Sequence, residues 1–236
     1  MGTINQIGLR RRAMFFKGVS DGGTDADAVA YINKLNETVT LSVLEEETIT
    51  TLITGYKSAD LWNKRTAIYM PLWADATANS YNIKDPRDLD EAFRLTWIQP
   101  TTPWIHQSTG ALPNGIDTEA DSYVNPSTHL SLGSASLGYY SDNESSNRYD
   151  AGLLWMALDQ SSFRAWAFSD GKASIGETGQ TGGWNLGNRA SVTDNRIFRD
   201  GLQTGTTNTF DVSGQSLPNN TIYFGALRGS TNTLRE

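Results

Sequence analysis

Phe163-Arg164-Ala165-Trp166-Ala167-Phe168-Ser169-Asp170-Gly171-Lys172-Ala173-Ser174-Ile175 reads as a β-hairpin. Its first half alternates, with Trp166 and Phe168 on one face of a strand. Asp170-Gly171 is the turn, since tight hairpin turns need positive φ at both central positions. The pattern recurs on both sides. Val192 to Phe198 and Leu202 flank a second such turn, Asp200-Gly201. Leu130-Ser131-Leu132 and Ala135 to Tyr140 read as one long strand with a Gly-Ser irregularity, opened by His129. Asp150 to Leu158 is a nearly continuous apolar run suited to one central strand. Phe210-Asp211-Val212 and Ile222-Tyr223-Phe224 complete the set. Strands at this spacing, without strong helical periodicity after His129, imply a β-sandwich or barrel, and an antiparallel β-sandwich is the natural reading. The Gly-rich stretch Gly176 to Gly187 reads as a long loop.

The N-terminal side has a different period. Thr24 or Asp25 can cap a helix running to Leu35, with early Asp residues at its positive end. Ser42-Val43-Leu44-Glu45 matches a capping box. Behind it Ile49, Leu52, Ile53 and Tyr56 share one helix face. A third short helix is expected to hold Leu61, Trp62, Ile68 and Tyr69, stopping before Pro71. Residues 74–128 are interrupted by Pro86, Pro100, Pro103, Pro113 and Pro126, so short strands joined by turns are expected there. The expected organisation is an arm over residues 1–23, a small helical region over 24–73 and the sandwich over 74–236.

With 236 residues the chain is long enough for a substantial core without disulfides, and it has no Cys. A thiolate metal site and a Cys nucleophile are thereby excluded. The net charge of −7 argues against non-specific nucleic-acid binding, so no nucleic-acid partner is expected. The local exception is the basic–aromatic arm Arg10, Arg11, Arg12, Phe15 and Phe16, which either contacts a partner or is a solvated tail. Neither a signal peptide nor a membrane span is expected, because no apolar run has the required length.

The residues that could carry chemistry do not assemble into a catalytic pattern. His106 and His129 stand in no recognisable nucleophile arrangement. Glu119-Ala120-Asp121 puts two carboxylates on one side of a strand, but the Glu-x-Asp-x-x-Glu run of sandwich glycosidases is absent. Asp21, Asp25 and Asp27 cluster, as do Asp142, Asn143 and Glu144, without EF-hand spacing. A helix cap and a hairpin loop are the simpler readings; structural calcium in a sandwich loop is the alternative they leave open. No other cofactor is expected. Gly182 to Arg189 lacks the Gly-Lys-Ser/Thr ending of a phosphate loop. Within it Trp184 is an exposed contact residue or folds back on the sandwich edge. Trp184, Tyr139 and Tyr140 are the candidates for stacking on a glycan.

Several stretches resemble a known family: Lys57 to Lys64, Ala67 to Leu72, Tyr81 to Pro86, Asn114 to Ser127, Ser134 to Tyr140 and Asn220 to Ala226. In this order and spacing the chain resembles a family of virion structural proteins of tailed bacteriophages, many from phages of Bacteroidetes and related marine bacteria. The resemblance runs from about Asp25 to about Arg228. It implies a concanavalin-like (laminin-G-like) sandwich behind a short helical region. It also implies a non-enzymatic virion component: capsid decoration, head fibre, or part of the tail or its fibres. Implied partners are other virion proteins and copies of the chain itself. The arm with Arg10, Arg11, Arg12, Phe15 and Phe16 precedes the resembling stretches and is itself expected to be the attachment segment. The alternatives are a glycan-binding module and, behind it, a sandwich-fold glycosidase. Similar proteins continue past the equivalent of Glu236 with a further strand and a helix. This chain is therefore expected to be a shorter member or part of a longer product, with a sheet edge left for a neighbour to pair.

Overall fold

The structure, a computed structural model, describes residues 25–99, 101, 103–113, 118–141, 149–153, 156–159, 164–167, 174–176, 183–214, 216–224, 227–228 and 234–235. The described helices are α1 (Ala26–Leu35), α2 (Val43–Ser58), α3 (Ala76–Ser80) and α4 (Pro126–His129). The strands are β1 (Thr96–Ile98), β2 (Ile105–Gln107), β3 (Gly110–Leu112), β4 (Glu119–Asp121), β5 (Ala135–Ser141), β6 (Tyr149–Leu153), β7 (Met156–Asp159) and β8 (Arg164–Ala167). They continue with β9 (Ser174–Gly176), β10 (Gly183–Ser191), β11 (Asp194–Arg199), β12 (Leu202–Asn208), β13 (Tyr223–Phe224), β14 (Leu227–Arg228) and β15 (Leu234–Arg235). The fold is mainly β, and its strands pair antiparallel except at Arg228↔Leu153. Two compact units result. One runs to Leu95 and takes in Ile105–Leu112; the other holds Thr96–Trp104 and the chain from Pro113.

The first unit is built on α1 and α2. Asp25 caps α1, its carboxylate accepting the Asp27 and Ala28 N–H groups at 3.0 and 3.2 Å. Lys57 pairs with Asp25 at 2.8 Å and also with Asp27. Partial burial raises the Asp25 pKa, but Lys57 and the two N–H groups outweigh it and hold the carboxyl below its usual range. Ser42 and Glu45 close the capping box: Ser42 Oγ accepts the Glu45 N–H, and the Ser42 N–H donates to the Glu45 carboxylate at 2.7 Å. Ile49 and Ile53 are buried against Ala28, Tyr31 and Leu35, with Leu52 and Tyr56 packed at the margin. The face expected from the sequence is therefore the packed one.

The expected third helix does not form. Only a 3-10 turn at Trp62–Lys64 is present. Beyond it, Asn82 takes the backbone groups that a helix would use. Its Oδ1 accepts the Ile68 N–H at 3.0 Å, its Nδ2 donates to Ala92 O, and the Ile83 N–H donates to Ile68 O. Tyr81 and Ile83, on either side of Asn82, are in the core.

In the second unit one sheet runs β1-β4-β13-β6-β7-β8-β9, with β14 and β15 attached beside β6; the other runs β12-β11-β10-β5. The two approach in order: β5 beside β6 and β7, β10 beside β8, β11 beside β8 and β9, and β12 beside β9. No ladder links them among the described residues. Two open layers with matching strand order are compatible with a β-sandwich; neither closes into a barrel among the described residues.

Local readings need correction. Asp150 to Leu158 is not one strand: β6 and β7 are antiparallel, with Leu153 opposite Met156. His129 ends α4 rather than opening a strand. Asn125 Oδ1 accepts the Ser127 N–H and Pro126 occupies the first turn, which starts a helix. The long strand from Leu130 is broken by a tight bridge, Ser131↔Ser134, and begins only at Ala135. Residues 183–187, read as loop, belong to β10. β8 and β9 pair as a hairpin, with Trp166 opposite Ser174, while the Asp170-Gly171 turn lies outside the described residues.

Candidate functional site

The arm residues Arg10, Arg11, Arg12, Phe15 and Phe16 lie outside the described residues. The three aromatic candidates fall on two adjacent strands. Trp184 of β10 is directly opposite Tyr140 of β5, and Asn185 is opposite Tyr139. Because side chains alternate, Trp184 and Tyr140 share one face while Tyr139 lies on the other with Asn185. On that other face Asn185, Arg189, Ala135, Asn195 and Ile197 are buried. Trp184 and Tyr140 are 41% and 55% exposed, and their rings meet edge to face with centroids 5.9 Å apart. The next row of the exposed face is Gly138, Leu186 and Phe198; the one after it is Ser136, Asn188 and Arg196. A Cβ at Gly138 would sit 3.1 Å from Leu186 Cδ1, so the glycine leaves room for that side chain beside the aromatic pair.

Trp184 is held by the turn between β11 and β12. Asp200 and Gly201 have φ of 48° and 87°, the positive pair of a tight hairpin turn. The Asp200 N–H donates to Trp184 O at 2.8 Å, and Asp200 Oδ1 accepts the Trp184 N–H at 3.0 Å. Gly183, with φ of 102°, lets the chain enter this clamp. A Cβ there would stand 2.7 Å from an Asp200 carboxylate oxygen. An exposed tryptophan fixed at its backbone can stack on a ligand without much ordering cost.

Charge on this face is largely internal. Arg196 forms a two-pronged pair with Asp194, at 2.7 and 2.6 Å, which holds the Asp194 carboxyl below its usual range. On the buried face Arg189 donates to Val192 O at 3.2 Å. Burial pushes its guanidinium pKa down, against the pull of Asp194.

Of the carboxylates singled out in the sequence, Asp25, Asp27 and Asp121 have structural partners. Glu119 is buried, and Asp121 Oδ1 accepts the Tyr123 N–H at 2.8 Å in a bend where Tyr123 has φ of 56°. Asp25 and Asp27 serve the α1 cap and Lys57; Asp21, Asp142, Asn143 and Glu144 lie outside the described residues. Among the described residues no three His, Asp or Glu side chains gather in a metal-ligating group. No described helix is long and apolar enough to cross a membrane.

Sequence reasoning passed over Asn79. It is fully buried, accepts the Trp73 N–H at 2.8 Å, donates to Trp73 O at 2.7 Å and contacts His106 Nδ1 at 3.0 Å. Its only local signal was its place after Asp75, whose carboxylate caps α3 through the Ala78 N–H. Comparison with protein-family models, curated proteins and solved structures gives no match.

Proposed function

We propose that this chain is a structural, non-enzymatic component of a bacteriophage virion, serving as capsid decoration, head fibre, or part of the tail or its fibres. In this reading its β unit is a concanavalin-like (laminin-G-like) sandwich, and it acts by assembling with other virion proteins and with copies of itself. The observation that carries the reading is the architecture. A small helical unit comes with a two-layer, mainly antiparallel β unit, as the resemblance implies. The stretches that carry the resemblance also supply core residues of the first unit, among them Trp62, Tyr81 and Ile83. A net charge of −7 suits a soluble outer surface. The arm Arg10 to Phe16 is the proposed attachment segment. Deleting residues 1–20 should leave a folded chain, by circular dichroism and thermal melting, that no longer enters particles. Normal incorporation of the deleted chain would overturn the attachment role.

One observation favours a second reading, a glycan-binding module: the exposed, backbone-clamped Trp184 beside Tyr140. Stacking on an aromatic face suits the apolar side of a sugar ring. A glycan array probed with wild type and Trp184→Ala separates the two readings. Binding reduced about tenfold or more by the substitution supports this one, in line with the weight of a single stacking contact. No binding above background by wild type removes it.

A further inference from the structure

The contact between Asn79 and His106 assigns a protonation state from hydrogen-bond geometry. An amide side chain seen without hydrogens can usually be flipped. Asn79 cannot. Its oxygen accepts the Trp73 N–H at 2.8 Å and its nitrogen donates to Trp73 O at 2.7 Å, so a flip would set donor against donor and acceptor against acceptor. The second hydrogen on Nδ2 is then the one directed at His106 Nδ1, 3.0 Å away. That ring nitrogen must carry a lone pair, which makes His106 neutral with its proton on Nε2. An imidazolium carries hydrogen on both nitrogens and would turn an N–H against the fixed amide.

His106 sits in the hairpin of β2 and β3, which pairs with neither larger sheet among the described residues. A two-stranded hairpin is marginal by itself and depends on such anchors. We propose that His106 is an acid-sensitive latch, whose protonation releases the hairpin Ile105–Leu112 from Asn79 in the helical unit. The charged group that acts on the ring is Asp75, at the start of α3. Its carboxylate favours the imidazolium, while burial disfavours it more strongly and keeps the ring below the usual His value. The hairpin displays Ile105 and Leu112 opposite each other, both half exposed, so release moves an apolar pair.

Ring-nitrogen NMR and amide hydrogen exchange on the full chain, from about pH 7.5 to about pH 5, test it. The expected tautomer at the upper pH has Nδ1 unprotonated. Protection of the hairpin amides should fall about tenfold relative to those of α2, following the His106 titration. In His106→Asn, which keeps a neutral acceptor near the Nδ1 position, relative protection should stay level. Protonated Nδ1 at the upper pH, hairpin protection that ignores the His106 titration, or equal acid loss in His106→Asn would each overturn the latch. If His106→Asn does not fold, the two wild-type readings decide.

Discussion

Gly183 stands where a side chain has no room. With φ of 102° and the Asp200 carboxylate 2.7 Å from a Cβ position, Gly183→Ala meets both backbone strain and a clash. It should destabilise the protein by about 1–3 kcal/mol in urea unfolding; unchanged stability would show that the Trp184 clamp is not as described. His106 makes a separate prediction about pH. Its ring titrates below the usual value of about 6.5 when folded, so the unfolded chain takes up the proton first. Its contribution is complete above that pH and is lost as pH falls toward the folded value, at no more than about 1.4 kcal/mol per pH unit. Between about pH 7 and pH 5, unfolding free energy should therefore decline less steeply in His106→Asn than in wild type. The Asp25 and Asp85 carboxyls, both held below their usual range, act in a lower window and do not obscure the comparison.

At the level of elements, what was legible in the sequence was what is local. The Ser42–Glu45 capping box, the Asp25 cap and the Asp200-Gly201 turn each need only neighbours a few residues apart, and each forms as read. Strand β10 was missed because its alternation is inverted. Asn185 and Arg189 face the buried side while Trp184 and Leu186 face outward, and Gly182, Gly183 and Gly187 around them read as loop. The expected helix near Ile68 failed because the competing partner, Asn82, is fourteen residues away. These two kinds of contact should differ in weight. Ser42→Ala removes an exposed cap and should cost about 1 kcal/mol. Asn82→Ala leaves the Ile68 N–H and Ala92 O without their partner in a buried setting and should cost roughly 2–4 kcal/mol. Equal losses in denaturant unfolding would contradict the role given to Asn82.

Over the whole molecule, the described residues form a helical unit and two open layers of mainly antiparallel strands. Exposed apolar side chains occur in both units among the described residues. Val43 and Leu44 begin α2, Ile105 and Leu112 lie on the hairpin, and Leu202 follows the turn that clamps Trp184. The candidate aromatic site was only half legible. Trp184 and Tyr140 could be named from the sequence, but bringing them together took the register of β5 against β10. The most direct measurement is quantitative mass spectrometry of density-purified particles from a lysate of the phage that the virion reading takes as the source of the chain. The virion reading predicts peptides of this chain in the particle fraction at fixed copy number relative to the major capsid protein. Peptides confined to the soluble lysate would contradict it.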